Sequence, residues 1–75
     1  MNPVGKYYKT QSELIYCYAV DGLFNCSYEC ICVGDNYIRT MHYIHVESFS
    51  RSTRKSFMKA YSRTIERLNE IVTIV

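Results

Sequence analysis

The strongest constraint in this sequence is a periodic apolar stripe near its C-terminus. Within 50–75, Phe57, Tyr61, Ile65, Leu68, Val72 and Val75 recur at spacings of three or four residues, which places them on one side of an α-helix. An amphipathic helix draws most of its stability from packing that side on another layer. The residues before it supply the layer, because they read as strands. The expected architecture is therefore α+β: a three-stranded antiparallel β-meander followed by one long C-terminal helix packed on one sheet face, in the order β-β-β-α.

Three segments make up this one domain. Residues 1–12, with Pro3 and Gly5, read as an irregular or edge segment in which Lys6 to Lys9 pair briefly with the sheet. Residues 13–47 read as the sheet itself. Leu-Ile-Tyr-Cys-Tyr-Ala-Val, ending at Val20, is rich in branched and aromatic side chains that suit a pleated surface. Asp21-Gly22 is a hairpin signal and Gly34-Asp35-Asn36 a second turn, so the strands run to Val20, from Leu23 to Val33, and from Tyr37 to Glu47. Residues 48–52 are a polar connection, and Ser50 or Ser52 is placed to cap the helix.

Turn lengths fix the register. A two-residue loop at Asp21-Gly22 puts Val20 opposite Leu23 and Cys17 opposite Cys26. A three-residue loop at Gly34 to Asn36 puts Val33 opposite Tyr37 and Cys30 opposite Thr40. Alternation then gathers Ile15, Cys17, Cys26, Cys30, Cys32, Thr40, His42 and Val46 on the face expected beneath the helix. Tyr16, Tyr18, Tyr37, Arg39, Met41 and Tyr43 fall on the opposite face, which one helix cannot also cover.

A chain of 75 residues buries little apolar surface, so help from a partner or a second copy is expected. Its 48% apolar and 21% charged residues are those of a folded domain. It shows no apolar run of signal-peptide or membrane-span length, and the expectation is a soluble, cytoplasmic protein with no membrane partner. In a reducing compartment the four cysteines read first as buried free thiols. A zinc site using Cys17, Cys26, Cys30 and Cys32 with His42 or His45 is disfavoured because the thiols fall in phase on neighbouring strands rather than in pairs on turns. A Cys17–Cys26 bridge is the remaining alternative. Neither a nucleophile elbow, a phosphate-binding glycine loop nor an acid–base carboxylate pair stands out, and the expectation is a protein that is not an enzyme and needs no cofactor.

Two surfaces remain to carry function. The first is the sheet face of Tyr16, Tyr18, Tyr37, Arg39, Met41 and Tyr43, whose aromatic and Met content suits protein contact, homodimerisation included. The second is basic. Residues 1–50 carry three Lys/Arg against five Asp/Glu, whereas 51–75 carry six against two. Arg51, Arg54, Lys55 and Lys59 crowd the positive end of the helix dipole, and Arg63 and Arg67 extend the same side, so an anion or nucleic-acid site is the sharper reading of these residues.

Strands followed by a helix that opens on Ser-Arg-Ser-Thr-Arg-Lys resemble the latter part of a double-stranded-RNA-binding domain. The resemblance covers the layout of residues 13–70 and implies that Arg51, Arg54, Lys55 and Lys59 contact phosphates. In size, tyrosine-rich composition and lack of motifs the chain also looks like the small phage proteins that inhibit host enzymes or defence complexes, anti-CRISPR proteins among them. That resemblance of type implies steric blocking of a host protein or ribonucleoprotein complex, in the host cytoplasm, by a compact and often dimeric domain.

Overall fold

Runs of branched and aromatic side chains between polar turns build the sheet, and the 3.6-residue period builds the helix. A computed structural model describes residues 2–21 and 27–74. Along them run β1 (Tyr7–Lys9), β2 (Leu14–Val20), β3 (Tyr28–Val33), β4 (Ile38–Tyr43), a 3-10 turn (Val46–Ser48), β5 (Ser50–Arg51) and α1 (Arg54–Ile74). The class is α+β, but the described residues form a five-stranded antiparallel sheet in the order β4-β3-β2-β1-β5, two strands more than the expected meander. The additions are the short strands β1 and β5, on the side of β2 away from β3.

Registers differ from those read off the turns, with unequal consequences. Cys17 lies opposite Cys30 and Val20 opposite Tyr28, with a bulge between Cys17 and Ala19. The hairpin closes where the Asp21 N–H donates to the Ser27 carbonyl at 2.9 Å and the Ser27 hydroxyl donates to the Asp21 carboxylate at 3.1 Å. A two-residue loop is thereby replaced by a longer connection, and Cys26, expected opposite Cys17, lies outside the described residues. Because Cys26 and Cys30 share parity, the face of the thiols does not change. The next turn holds Gly34 to Tyr37, closed by the Gly34 N–H donating to the Tyr37 carbonyl at 3.0 Å, so Val33 faces Ile38 and Cys30 faces Met41. That single-residue slip turns every β4 side chain over.

The helix covers the face opposite the one expected. Phe57 packs on Tyr7 and Tyr16, with ring centroids 5.6 and 6.0 Å apart, and Tyr7 stacks on Tyr16 at 4.8 Å. Tyr7, Leu14, Tyr16, Ile31 and Val33 line this helix face. On the other face Tyr8, Ile15, Cys17, Cys30 and Cys32 form the buried core, closed by Val46 and flanked by Val4, Tyr28, Met41, Tyr43 and Phe49. The chain's own N-terminal turn and the 44–49 segment therefore cover the thiols. Gly5, at φ 85°, lets that N-terminal turn fold back so that its N–H donates to the Cys17 carbonyl at 2.8 Å.

The cap of α1 is Thr53 rather than Ser50 or Ser52. Its hydroxyl accepts from the Ser56 N–H at 3.1 Å, while Ser50 is in β5. The buried line on α1 also differs from the apolar stripe. Phe57 and Thr64 are buried, Ala60 and Leu68 half-buried, whereas Tyr61, Ile65 and Val72 of the expected stripe are 37%, 37% and 72% exposed. Thr64 is the second anchor, its hydroxyl donating to the Gly34 carbonyl at 2.6 Å.

From Phe57 over β1 and β2, the helix reaches the end of β3 at Thr64. The 10 residues from Ile65 to Ile74 add about 15 Å at 1.5 Å per residue. They pass the turn at Asp35, which lines a groove with Arg63, Glu66, Arg67 and Glu70. The end of α1 therefore overhangs the sheet, in keeping with a longest dimension of 43 Å.

Thr64→Val should keep the shape at this anchor but leave a buried carbonyl without its donor, a loss of about 1–3 kcal/mol. Denaturant unfolding measures it. Thr64→Ser should recover most of the loss, and equal stability of all three proteins would remove Thr64 as an anchor.

Candidate functional site

The slip of β4 disperses the tyrosine surface. Tyr16 lies under the helix, stacked on Tyr7 and tilted against Phe57. Tyr18 sits at the β2 bulge, 38% exposed. Tyr37, Arg39, Met41 and Tyr43 turn to the thiol face instead. The six residues expected to share one open face thus occupy three environments.

On the thiol face they do structural chemistry. Glu13, in the turn before β2, is only 5% exposed and accepts three hydrogen bonds. The Tyr37 hydroxyl donates to Oε2 at 2.8 Å, Arg39 Nε donates to the same oxygen at 2.9 Å, and Arg39 Nη2 donates to Oε1 at 3.1 Å. The two-pronged guanidinium grip holds the Glu13 carboxyl below its ordinary pKa. The hydrogen bond to Glu13 in turn raises the Tyr37 phenol. Tyr43 meets Phe49 edge-on at 5.1 Å and its hydroxyl lies 3.7 Å from Cys32 Sγ, while burial lifts its phenol to about 12. Nothing in the sequence marks Glu13 as the acceptor of this corner, because its partners are 24 and 26 residues away.

The described thiols Cys17, Cys30 and Cys32 are free and buried. Burial raises all three, Cys30 to about 12, so at neutral pH they are protonated hydrophobic side chains. Among the described residues no cluster of His, Cys, Asp and Glu is placed to hold a metal. His42, read as a partly buried residue of the thiol face, is 57% exposed on the helix face, with Nε2 3.3 Å from Glu29 Oε1.

The basic surface is also divided. Arg51, on β5, stands 5.5 Å over the Tyr8 ring on the thiol side, apart from the helix. Arg54, Lys55 and Lys59 are exposed on the first turns of α1, and no acidic residue shares the first turn. Lys55, Lys59, Arg63 and Arg67 follow one another at four-residue spacing along the outer side. Arg63 and Arg67 line a groove of about 270 Å³ together with Asp35, Glu66 and Glu70. No acidic residue lines up in the same way beside Arg54, Lys55 and Lys59 in the first turn.

A third surface was not anticipated. Met58, Tyr61, Ile65 and Val72 follow one flank of α1 and are 38%, 37%, 37% and 72% exposed. The sequence signal was present, since three of them belong to the apolar stripe. Thr64 and Ala60 draw the buried line to one side and leave this flank in water.

The depressed Glu13 pKa has a direct consequence. A carboxyl lowered in the folded state contributes stability that is complete above its unfolded value near 4.5 and is lost as pH falls through the folded value. Thermal unfolding against pH should show this acid limb, and Glu13→Gln should flatten it while lowering stability at neutral pH. In a Cys26→Ser background, a thiol reagent at neutral pH should find nothing to label until the protein is unfolded.

No protein-family model matches the chain, and no curated protein or solved structure matches it.

Proposed function

We propose that this protein is a small non-enzymatic binding protein that sterically blocks a host protein or ribonucleoprotein complex, in the manner of phage inhibitors of defence. The observation that supports this reading is the flank of Met58, Tyr61 and Ile65, each 37–38% exposed on a helix whose other side is packed. Met and Tyr offer adaptable shape and large contact area, the composition favoured at the centre of protein interfaces. Tyr61 is held in place by stacking on Phe57 at 6.3 Å, so the surface is rigid before contact. The charged residues beside it would set orientation and encounter rate.

A second reading, nucleic-acid binding, has its own support: Arg54, Lys55 and Lys59 are exposed and form no ion pair among the described residues. Three phosphate contacts would give log affinity falling with log salt at a slope of about −3 on duplex DNA. An interface centred on Met58 and Ile65 would be far less sensitive.

Expression in bacteria that carry an active RNA-guided defence complex, challenged with a phage which that complex targets, separates the two. Steric inhibition predicts that plaque counts rise by orders of magnitude. Met58→Glu with Ile65→Glu should abolish the rise at unchanged circular dichroism, and Arg54→Glu with Lys59→Glu should not. The reverse ranking favours nucleic acid, and an unchanged plaque count sinks the inhibitor reading.

A further inference from the structure

We infer that β4 is a dimerisation edge, on which a second copy of this chain adds its own β4 antiparallel to make one continuous sheet. This goes beyond the proposed function and does not depend on it. The Gly34 N–H to Tyr37 carbonyl bond sets which β4 residues bond to β3. Alternation from it assigns Arg39, Met41 and Tyr43 to β3, opposite Cys32, Cys30 and Tyr28. Ile38, Thr40 and His42 therefore point their N–H and C=O groups outward, at the end of the strand order where no further strand pairs among the described residues.

Ile38–Tyr43 contains no Lys, no Pro and no bulge, three of the devices that keep edge strands apart. Its two basic residues are already engaged inside their own chain, Arg39 by Glu13 at 2.9 Å and His42 by Glu29 at 3.3 Å. Neither brings an unpartnered cation to the edge.

The pairing is self-complementary. Outward groups must meet outward groups, so a two-fold axis through Thr40 sets Thr40 against Thr40 and Ile38 against His42 of the second copy. Arg39 then stands beside Met41, and no like charges lie opposite one another. This register also places the Ile38 end of one strand beside the His42 end of the other.

Solution mass by light scattering from micromolar to millimolar concentration should reach twice the chain mass. Amide hydrogen exchange supplies the signature that a different dimer would lack. Ile38, Thr40 and His42 should exchange slowly at high concentration and rapidly on dilution, while Arg39, Met41 and Tyr43 stay protected throughout. Thr40→Pro removes an N–H that has no partner among the described residues, so it should give a folded monomer, whereas Thr40→Ala should remain dimeric. A monomer at every concentration overturns the proposal. So does a dimer in which the Ile38, Thr40 and His42 amides exchange rapidly, or one that survives Thr40→Pro but dissociates on Ile71→Glu with Val72→Glu, which would put the interface on the helix alone.

Discussion

A sheet has two faces, and this chain has one helix to cover them. Everything else in the structure answers that shortage. The helix goes to the face of Tyr7, Tyr16, Ile31 and Val33, where large side chains meet Phe57. The other face is lined by small thiols and needs only a thin cover, which Val4, Val46 and Phe49 provide. β3 is the element both solutions share. Cys30 and Cys32 are buried beneath one cover, and Val33, 1% exposed, beneath the other. The marginal apolar content of a short chain is thereby used on both sides of one strand.

The same shortage explains what was legible in the sequence. The class, a C-terminal helix (expected over 50–75 and found over Arg54–Ile74), the β2 strand and the grouping of Ile15, Cys17, Cys30 and Cys32 all follow from periodicity, which the chain displays plainly. Register does not, because it depends on how many residues a turn consumes. Reading Gly34 to Asn36 as the loop misses Tyr37, whose carbonyl accepts the closing bond from the Gly34 N–H. One residue of error scattered Tyr37, Arg39, Met41 and Tyr43 away from Tyr16. At the preceding hairpin the slip is five at Val20 but four at Cys17, beyond the bulge, and the even slip there left the thiols on their expected strand face. β5 was invisible because Ser50-Arg51 is polar and only two residues long, with no alternating apolar pattern to mark a strand.

Candidate surfaces were legible to a similar degree and for similar reasons. Cationic residues at the helix start are exposed as their spacing implied, yet Arg51 belongs to a strand because the helix begins after Thr53. The apolar stripe of α1 was read correctly as a stripe and wrongly as wholly buried. Thr64 made the difference. A hydroxyl aimed at the Gly34 carbonyl draws the contact line toward itself, and the adjacent Tyr61 and Ile65 are left facing water.

Gly34 has a mechanical meaning as well. A β-carbon at this position would stand 2.4 Å from the Tyr37 ring, so that ring lies directly against the backbone, and the ring's hydroxyl is fastened to Glu13. The carbonyl of the same residue is held by Thr64. The turn is thus gripped from both layers at one peptide, by the helix on one side and by the corner before β2 on the other. Tension applied to the overhanging part of α1 would reach Thr64 and pass through Gly34 to Glu13. The joint would bear the load in shear as a single rivet, with helix and sheet yielding together.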